Sequence, residues 1–236
     1  MRQAIRCIAV TTGLLACASA AATVIPGNQL QRHLATAGVA VDVRTEQYVH
    51  DEIWTLASSG TSAIDLLFEL AGYADRLEFG IYDVHDPARK LTIFTGASRP
   101  GASGSLWMDD SGAYCVGASP GAASCSAFSA GLFGFYLHSP DGTFYSQSAL
   151  NADGVDHMVA YQGGVERGTF NGRPWAADAF LLAWEDLWGG GDRDYDDFGV
   201  MIGSIASVPE PAVLTLFGVA LLGLGAAAIR RRRISV

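Results

Sequence analysis

The chain has 236 residues, with 24 acidic against 15 basic side chains and a formal net charge of −9. That length accommodates one domain of ordinary size once two compositionally distinct ends are set aside. Without residues 1–20 and 208–236, nine bases and 23 acids remain, a net charge of −14; such a surface repels nucleic acid and anionic lipid and draws cations, which argues against a nucleic-acid partner.

Arg2 and Arg6 precede an uncharged run from Cys7 to Cys17, and small residues follow. Ala18-Ser19-Ala20 and Ala20-Ala21-Ala22 both satisfy the small-x-small cleavage rule, so a secretory signal peptide is predicted over 1–22, with a buried N-terminal helix as the competing reading. Leu14-Leu15-Ala16-Cys17 resembles an imperfect lipobox, which leaves lipidation at Cys17 as a minor alternative. Residues 23–60 form an N-terminal extension of open structure: a short helix over Gln29 to Ala37, strand-like alternation over Val39 to Val43, and Tyr48 to Leu56 ambiguous between the two.

From Thr61 the pattern sharpens. In Ile64-Asp65-Leu66-Leu67-Phe68-Glu69-Leu70 the even positions are apolar, while Asp65 and Glu69 face the other way, as in a half-buried strand. Strands are also expected at Leu77–Tyr82, Leu91–Phe94, Leu132–Leu137, Thr143–Tyr145, His157–Tyr161, Phe180–Trp184 and Phe198–Ile202. Turn chemistry separates them at Asp86-Pro87, Arg99-Pro100-Gly101, Pro140-Asp141-Gly142 and Asn171-Gly172. No long amphipathic helix interrupts them, so residues 61–205 read as an all-β domain, an antiparallel, jelly-roll-like β-sandwich. Cys115 and Cys125 flank a stretch rich in Gly, Ala, Ser and Pro; in an oxidising compartment they are predicted to form a disulfide, with a reactive thiol pair as the alternative.

The densest chemistry lies in Trp184–Gly199. Glu185 and Asp186 precede the hinge Gly189-Gly190-Gly191, and Asp192, Asp194, Asp196 and Asp197 follow it, with Arg193 the only base. Alternating carboxylates around a tight turn supply the oxygen ligands that Ca²⁺ requires, so these six acids are the candidate site for a structural Ca²⁺. The spacing begins like an EF-hand loop and then departs, with Asp197 at the glycine position and Gly203 at the glutamate position. A solvated acidic loop with Asx turns is the competing reading. Asn151, Asp153, Asp156 and His157 form a second polar cluster able to lend ligands to the same ion, although His157 reads first as a hydrogen-bonded structural residue. Asp109-Asp110 and the Asp83, Asp86 pair sit where turns are expected.

Gly117-Ala118-Ser119-Pro120-Gly121 matches an esterase pattern but lacks the strand-to-helix setting of a nucleophile elbow. The enzymatic alternative is a secreted polysaccharide-modifying enzyme using a carboxylate pair. Trp107, Trp175, Trp188, Tyr136 and Tyr145 are candidates for stacking on sugar faces, or for the core.

Phe68–Asp75, Phe79–Tyr82, Gly134–Leu137, Phe144–Ser146, Asp156-His157, Trp184–Leu187 and Gly191–Asp197 together resemble the bacterial extracellular domain-of-unknown-function family forty-one fourteen. Trp184 and Asp196 depart from its usual phenylalanine and asparagine. The resemblance spans about Thr61 to Ser204 and implies no particular activity.

Val208-Pro209-Glu210-Pro211 introduces an uncharged run over Ala212–Ile229, then Arg230, Arg231, Arg232 and Arg233. Eighteen residues at helical rise span ~27 Å, near the thickness of a bilayer core, and the arginines hold their end on the cytoplasmic side. Residues 206–236 resemble the PEP-CTERM sorting signal of bacterial exosortase substrates. That resemblance implies export, transient anchoring in the inner membrane, removal of the tail by an exosortase-type protease, and delivery to the surface or an exopolysaccharide matrix.

Overall fold

The computed structural model describes residues 26–57, 60–117, 123–164, 167–170 and 173–209. The predicted signal peptide, the span 212–229 and the turn Asn171-Gly172 lie outside them. Among the described residues no helix is long and apolar enough to cross a membrane.

Among the described residues, helix α1 (Asn28–Thr36) is followed by fifteen strands: β1 Trp54–Leu56, β2 Thr61–Glu69, β3 Glu78–Asp83, β4 Asp86–Thr95, β5 Ser103–Met108, β6 Tyr114–Gly117, β7 Ser124–Ser126, β8 Phe133–Ser139, β9 Gly142–Tyr145, β10 Met158–Gln162, β11 Thr169–Phe170, β12 Arg173–Pro174, β13 Phe180–Trp184, β14 Phe198–Ile202 and β15 Ile205–Ser207. One antiparallel sheet runs β15-β1-β8-β3-β4, with β9 also on β8; the other runs β10-β13-β14-β2-β5-β6-β7; β11 and β12 pair alone. The two large sheets face each other across an aromatic core. Phe79 of the first meets Phe198 and Trp184 of the second at ring separations of 5.3 and 6.1 Å, and Trp54 meets Phe180 at 4.7 Å.

A second apolar cluster covers the outer face of the seven-stranded sheet. Leu30 and Leu34 of α1 and the buried Val39, Val41 and Val43 lie there with Val159, Tyr161, Leu181, Ala183 and Met201. Strand β13 is therefore buried on both faces, which is why Phe-Leu-Leu-Ala-Trp carries no polar residue. Val39–Val43 keeps its alternation without becoming a strand: it makes only an isolated bridge, Val39 to Gly168.

The period-two reading of residues 64–70 fails beyond Leu66. In the ladder with β14, Gly199 faces Phe68 and Val200 faces Leu66, so Leu67 is an extra residue that bulges β2. The bulge turns Phe68 to the outer cluster and leaves Leu70 52% exposed. Gly199 is needed here, since a Cβ would lie 2.2 Å from the Phe68 ring.

The Asp86-Pro87 turn is also displaced. The β3–β4 hairpin turns at Val84-His85, closed by Asp83 opposite Asp86, and Pro87 stands inside β4. Pro140-Asp141 does turn β8 into β9, with Ser139 opposite Gly142, and Ala102 N–H donates to the Arg99 carbonyl at 2.8 Å across Pro100-Gly101. Strands β5 to β7, hidden by Gly and Ser in the sequence, extend the second sheet. Cys115 and Cys125 lie opposite each other on β6 and β7 and form the expected disulfide.

Candidate functional site

Pairing of β13 with β14 closes with Trp184 opposite Phe198, so the two ends of the acidic loop are neighbours. Glu185 and Asp186 leave one strand as Asp196 and Asp197 enter the other. Between them Gly189, Gly190 and Gly191 all take positive φ, as do Arg193 and Tyr195. This folds the loop back so that backbone N–H groups point at Glu185.

Glu185 is fully buried. Its Oε1 accepts the N–H groups of Asp194 and Tyr195, both at 3.0 Å, while Oε2 has no hydrogen-bond partner. Burial, reinforced by the charges of Asp197, Asp192 and Asp194, pushes its carboxyl up to about 8. Glu185, the exposed Asp192 and the buried Asp194 each offer an oxygen within 4.8 Å of the others.

The other three acids of the expected six are placed differently. Asp197 Oδ2 accepts the Asp186 N–H at 3.0 Å; burial and then the Asp186 charge push Asp197 up to about 7. Asp186 Oδ2 is buried without a partner. Asp196 pairs with His33 Nε2 at 3.0 Å, on helix α1, and its N–H donates to Asp194 Oδ1 at 3.3 Å. Gln29, also on α1, donates to Asp194 Oδ2, and Gly27 N–H donates to the Arg193 carbonyl at 3.1 Å. Helix α1 as a partner of the acidic loop is the feature that sequence reading missed: 165 residues separate Gln29 from Asp194, and no local pattern links them.

The second polar cluster does meet this loop, through hydrogen bonds. Asp153 Oδ2 accepts the Gly189 N–H at 2.8 Å and faces His157 Nε2 at 2.9 Å. His157 is buried, stacked on Phe144 at 3.9 Å, with Nδ1 3.2 Å from the Glu185 carbonyl. Tyr195 OH donates to the Asp156 carbonyl at 2.6 Å. Asn151 is held by Tyr145 N–H and donates to the carbonyls of Tyr145 and Val155. These residues brace the loop.

Of the aromatic candidates, Trp175 and Tyr136 are core residues, Trp107 and Tyr145 are half-buried, and Trp188 is 56% exposed at the tip of the acidic loop. Asp109 accepts from Ser111 and Ala113 N–H in an Asx turn between β5 and β6. Asp83 is buried and accepts from His85 and Ser129, which pins a hairpin. Residues 118–122 and 210–236, with Ser119, Glu210, Pro211 and the four arginines, lie outside the described residues; Pro209 is exposed, two residues past β15.

Among the described residues the protein is mostly β, two antiparallel sheets with an acidic loop at the end of one of them. Residues 125–204 match the family model described as Domain of unknown function (DUF4114), and residues 207–233 match the PEP-CTERM protein-sorting motif. The first match includes the whole acidic loop and stops short of the N-terminal portion of the resemblance at Phe68–Tyr82. The second marks an exported protein sorted by exosortase, and neither description names an enzymatic activity. No curated protein and no solved structure matches the chain.

Proposed function

We propose that the protein is an exosortase substrate delivered to the cell surface or an exopolysaccharide matrix. There its jelly-roll-like sandwich, stabilised by Ca²⁺, works as a binding or structural module rather than a catalyst. The observation that carries this is the sorting motif, whose match begins at Ser207, the last residue of β15. The sandwich is thus the cargo. The signal-peptide pattern at 1–22 and the arginine cluster at 230–233 support export with the C-terminus cytoplasmic before the tail is cut. The exposed Trp188 supports contact with a sugar face, since it presents a flat apolar ring of the kind that stacks on a ligand's flat face.

Fractionation of cells bearing the native chain tests the sorting half: the protein should leave the inner membrane and collect in the matrix only while exosortase is present. Affinity electrophoresis against the host's own exopolysaccharide tests the other half. Wild-type protein should be retarded, with Trp188→Ala weaker; equal mobility with and without the polysaccharide would remove the binding role. Metal analysis of the purified chain, paired with thermal unfolding with and without chelator, tests the cation.

A further inference from the structure

We propose that Glu185, Asp192 and Asp194 form a hard-cation site, filled by Ca²⁺ outside the cell, that latches the β13–β14 loop onto helix α1. This rests on the reading of the sandwich as Ca²⁺-stabilised and gives that ion its donors and its task.

Three carboxylates converge within 4.8 Å, and the decisive group is Glu185. It is fully buried, one oxygen holds two backbone N–H groups, and the other meets no partner. A carboxylate oxygen taken out of water without a partner is costly, and proteins rarely leave one so. Gly191 closes over it: a Cβ at that position would lie 2.3 Å from Glu185 Oε2. The glycine hinge therefore lies directly against this oxygen, with no room for a side chain between them.

The loop's own base does not supply the missing charge. Arg193 folds back over Gly190, where its Nε would lie 3.6 Å from an added Cβ, and it makes no ion pair among the described residues. Donors that are all carboxylate oxygens select a hard cation over zinc or copper. Ca²⁺ tolerates an irregular shell of carboxylates, carbonyls and waters, where Mg²⁺ demands a near-octahedral one. Asp192 is exposed, which gives the ion a way in and leaves room for water ligands. Asp186, Asp196 and Asp197 fall outside the donor set because the convergent group holds only Glu185, Asp192 and Asp194; Asp197 instead accepts the Asp186 N–H and Asp196 pairs with His33.

The site also has a mechanical role. Asp194 already accepts from Gln29, and Gly27 rests against it, with an added Cβ 2.9 Å from Asp194 Cβ. An ion that fixes Asp194 thereby fixes the start of α1. Ca²⁺ sites of extracellular modules work at about 10⁻⁴–10⁻³ M, so the latch closes only after export.

The full chain, purified in detergent and stripped with chelator, should bind one Tb³⁺ whose luminescence is sensitised by nearby tryptophan, and Ca²⁺ should displace it. Asp192→Asn should weaken both ions at least tenfold without changing circular dichroism, and Asp110→Asn should bind like wild type. Ca²⁺ should slow amide exchange in Asn28–Thr36 at least tenfold in wild type and not in Asp192→Asn. If neither ion binds the folded wild type, the Ca²⁺ reading fails altogether. Binding that survives Asp192→Asn overturns this donor set alone, and binding that leaves α1 exchange unchanged overturns the latch.

Discussion

Asp51 is 6% exposed just before β1, and its Oδ2 has no hydrogen-bond partner. Burial first, and then the charge of Asp156, push its carboxyl well above 3.8; burial pushes Asp156 up to about 6. A carboxyl raised in the folded state binds its proton more tightly there than in the unfolded chain. The stability that these two carboxyls contribute is therefore full below 3.8 and is lost as pH rises through their raised folded values, about 6 for Asp156. Asp51→Asn should raise stability at pH 7.5 by about 1–2 kcal/mol, with the gain vanishing near pH 4. Urea unfolding at both pH values measures this, and a pH-independent gain would contradict it. Glycines of the hinge should differ from one another in the same assay. Gly191→Ala combines positive φ with a contact against Glu185, whereas an added Cβ at Gly189 meets nothing within 4 Å. The first should cost roughly 2–3 kcal/mol more than the second, and equal costs would mean that the carboxylate does not press on the hinge.

Among the elements, β7 is the most dependent on a single bond. It has three residues, stands at the sheet edge, and pairs only with β6, where Cys115 meets Cys125. A loop this short is worth about 3 kcal/mol by the chain-entropy relation. Cys115→Ser with Cys125→Ser should therefore lower stability by about that amount, and amide exchange should rise in β7 while β13 and β14 stay protected. Loss of protection throughout the sheet would show instead that β7 anchors it. This contrast also explains which strands the sequence revealed. Strands β3, β8, β13 and β14 bring several large apolar side chains to the aromatic core, and their pattern is visible in one pass. β5 opens with Ser103-Gly104-Ser105 and β7 is Ser-Cys-Ser, so propensity and periodicity pass over them. The bulge at Leu67 is invisible for a different reason: an extra residue changes which face Phe68 takes, and only the partner strand β14 reveals it.

At the level of the whole chain, the acidic end was legible as a local cluster and not as a division of labour. Sequence spacing placed six carboxylates in one loop; the fold separates them into a convergent trio, a mutually engaged pair and a partner for His33. That sorting depends on α1, whose approach to the loop is a tertiary event. Residue-level chemistry gave the sorting address more directly, because a receptor-read signal is contiguous. Glu210→Ala should accordingly leave the domain's thermal unfolding unchanged while the chain accumulates in the inner membrane, as followed by fractionation and immunoblotting; normal release would show that the acid is not read. The position of β15 adds a constraint of timing. Its partner β1 lies near residue 54, yet β15 ends at Ser207, where the sorting match begins. The first sheet gains its edge only when nearly all of the cargo has crossed the membrane, so completion of the fold and arrival of the sorting tail fall in the same moment of synthesis.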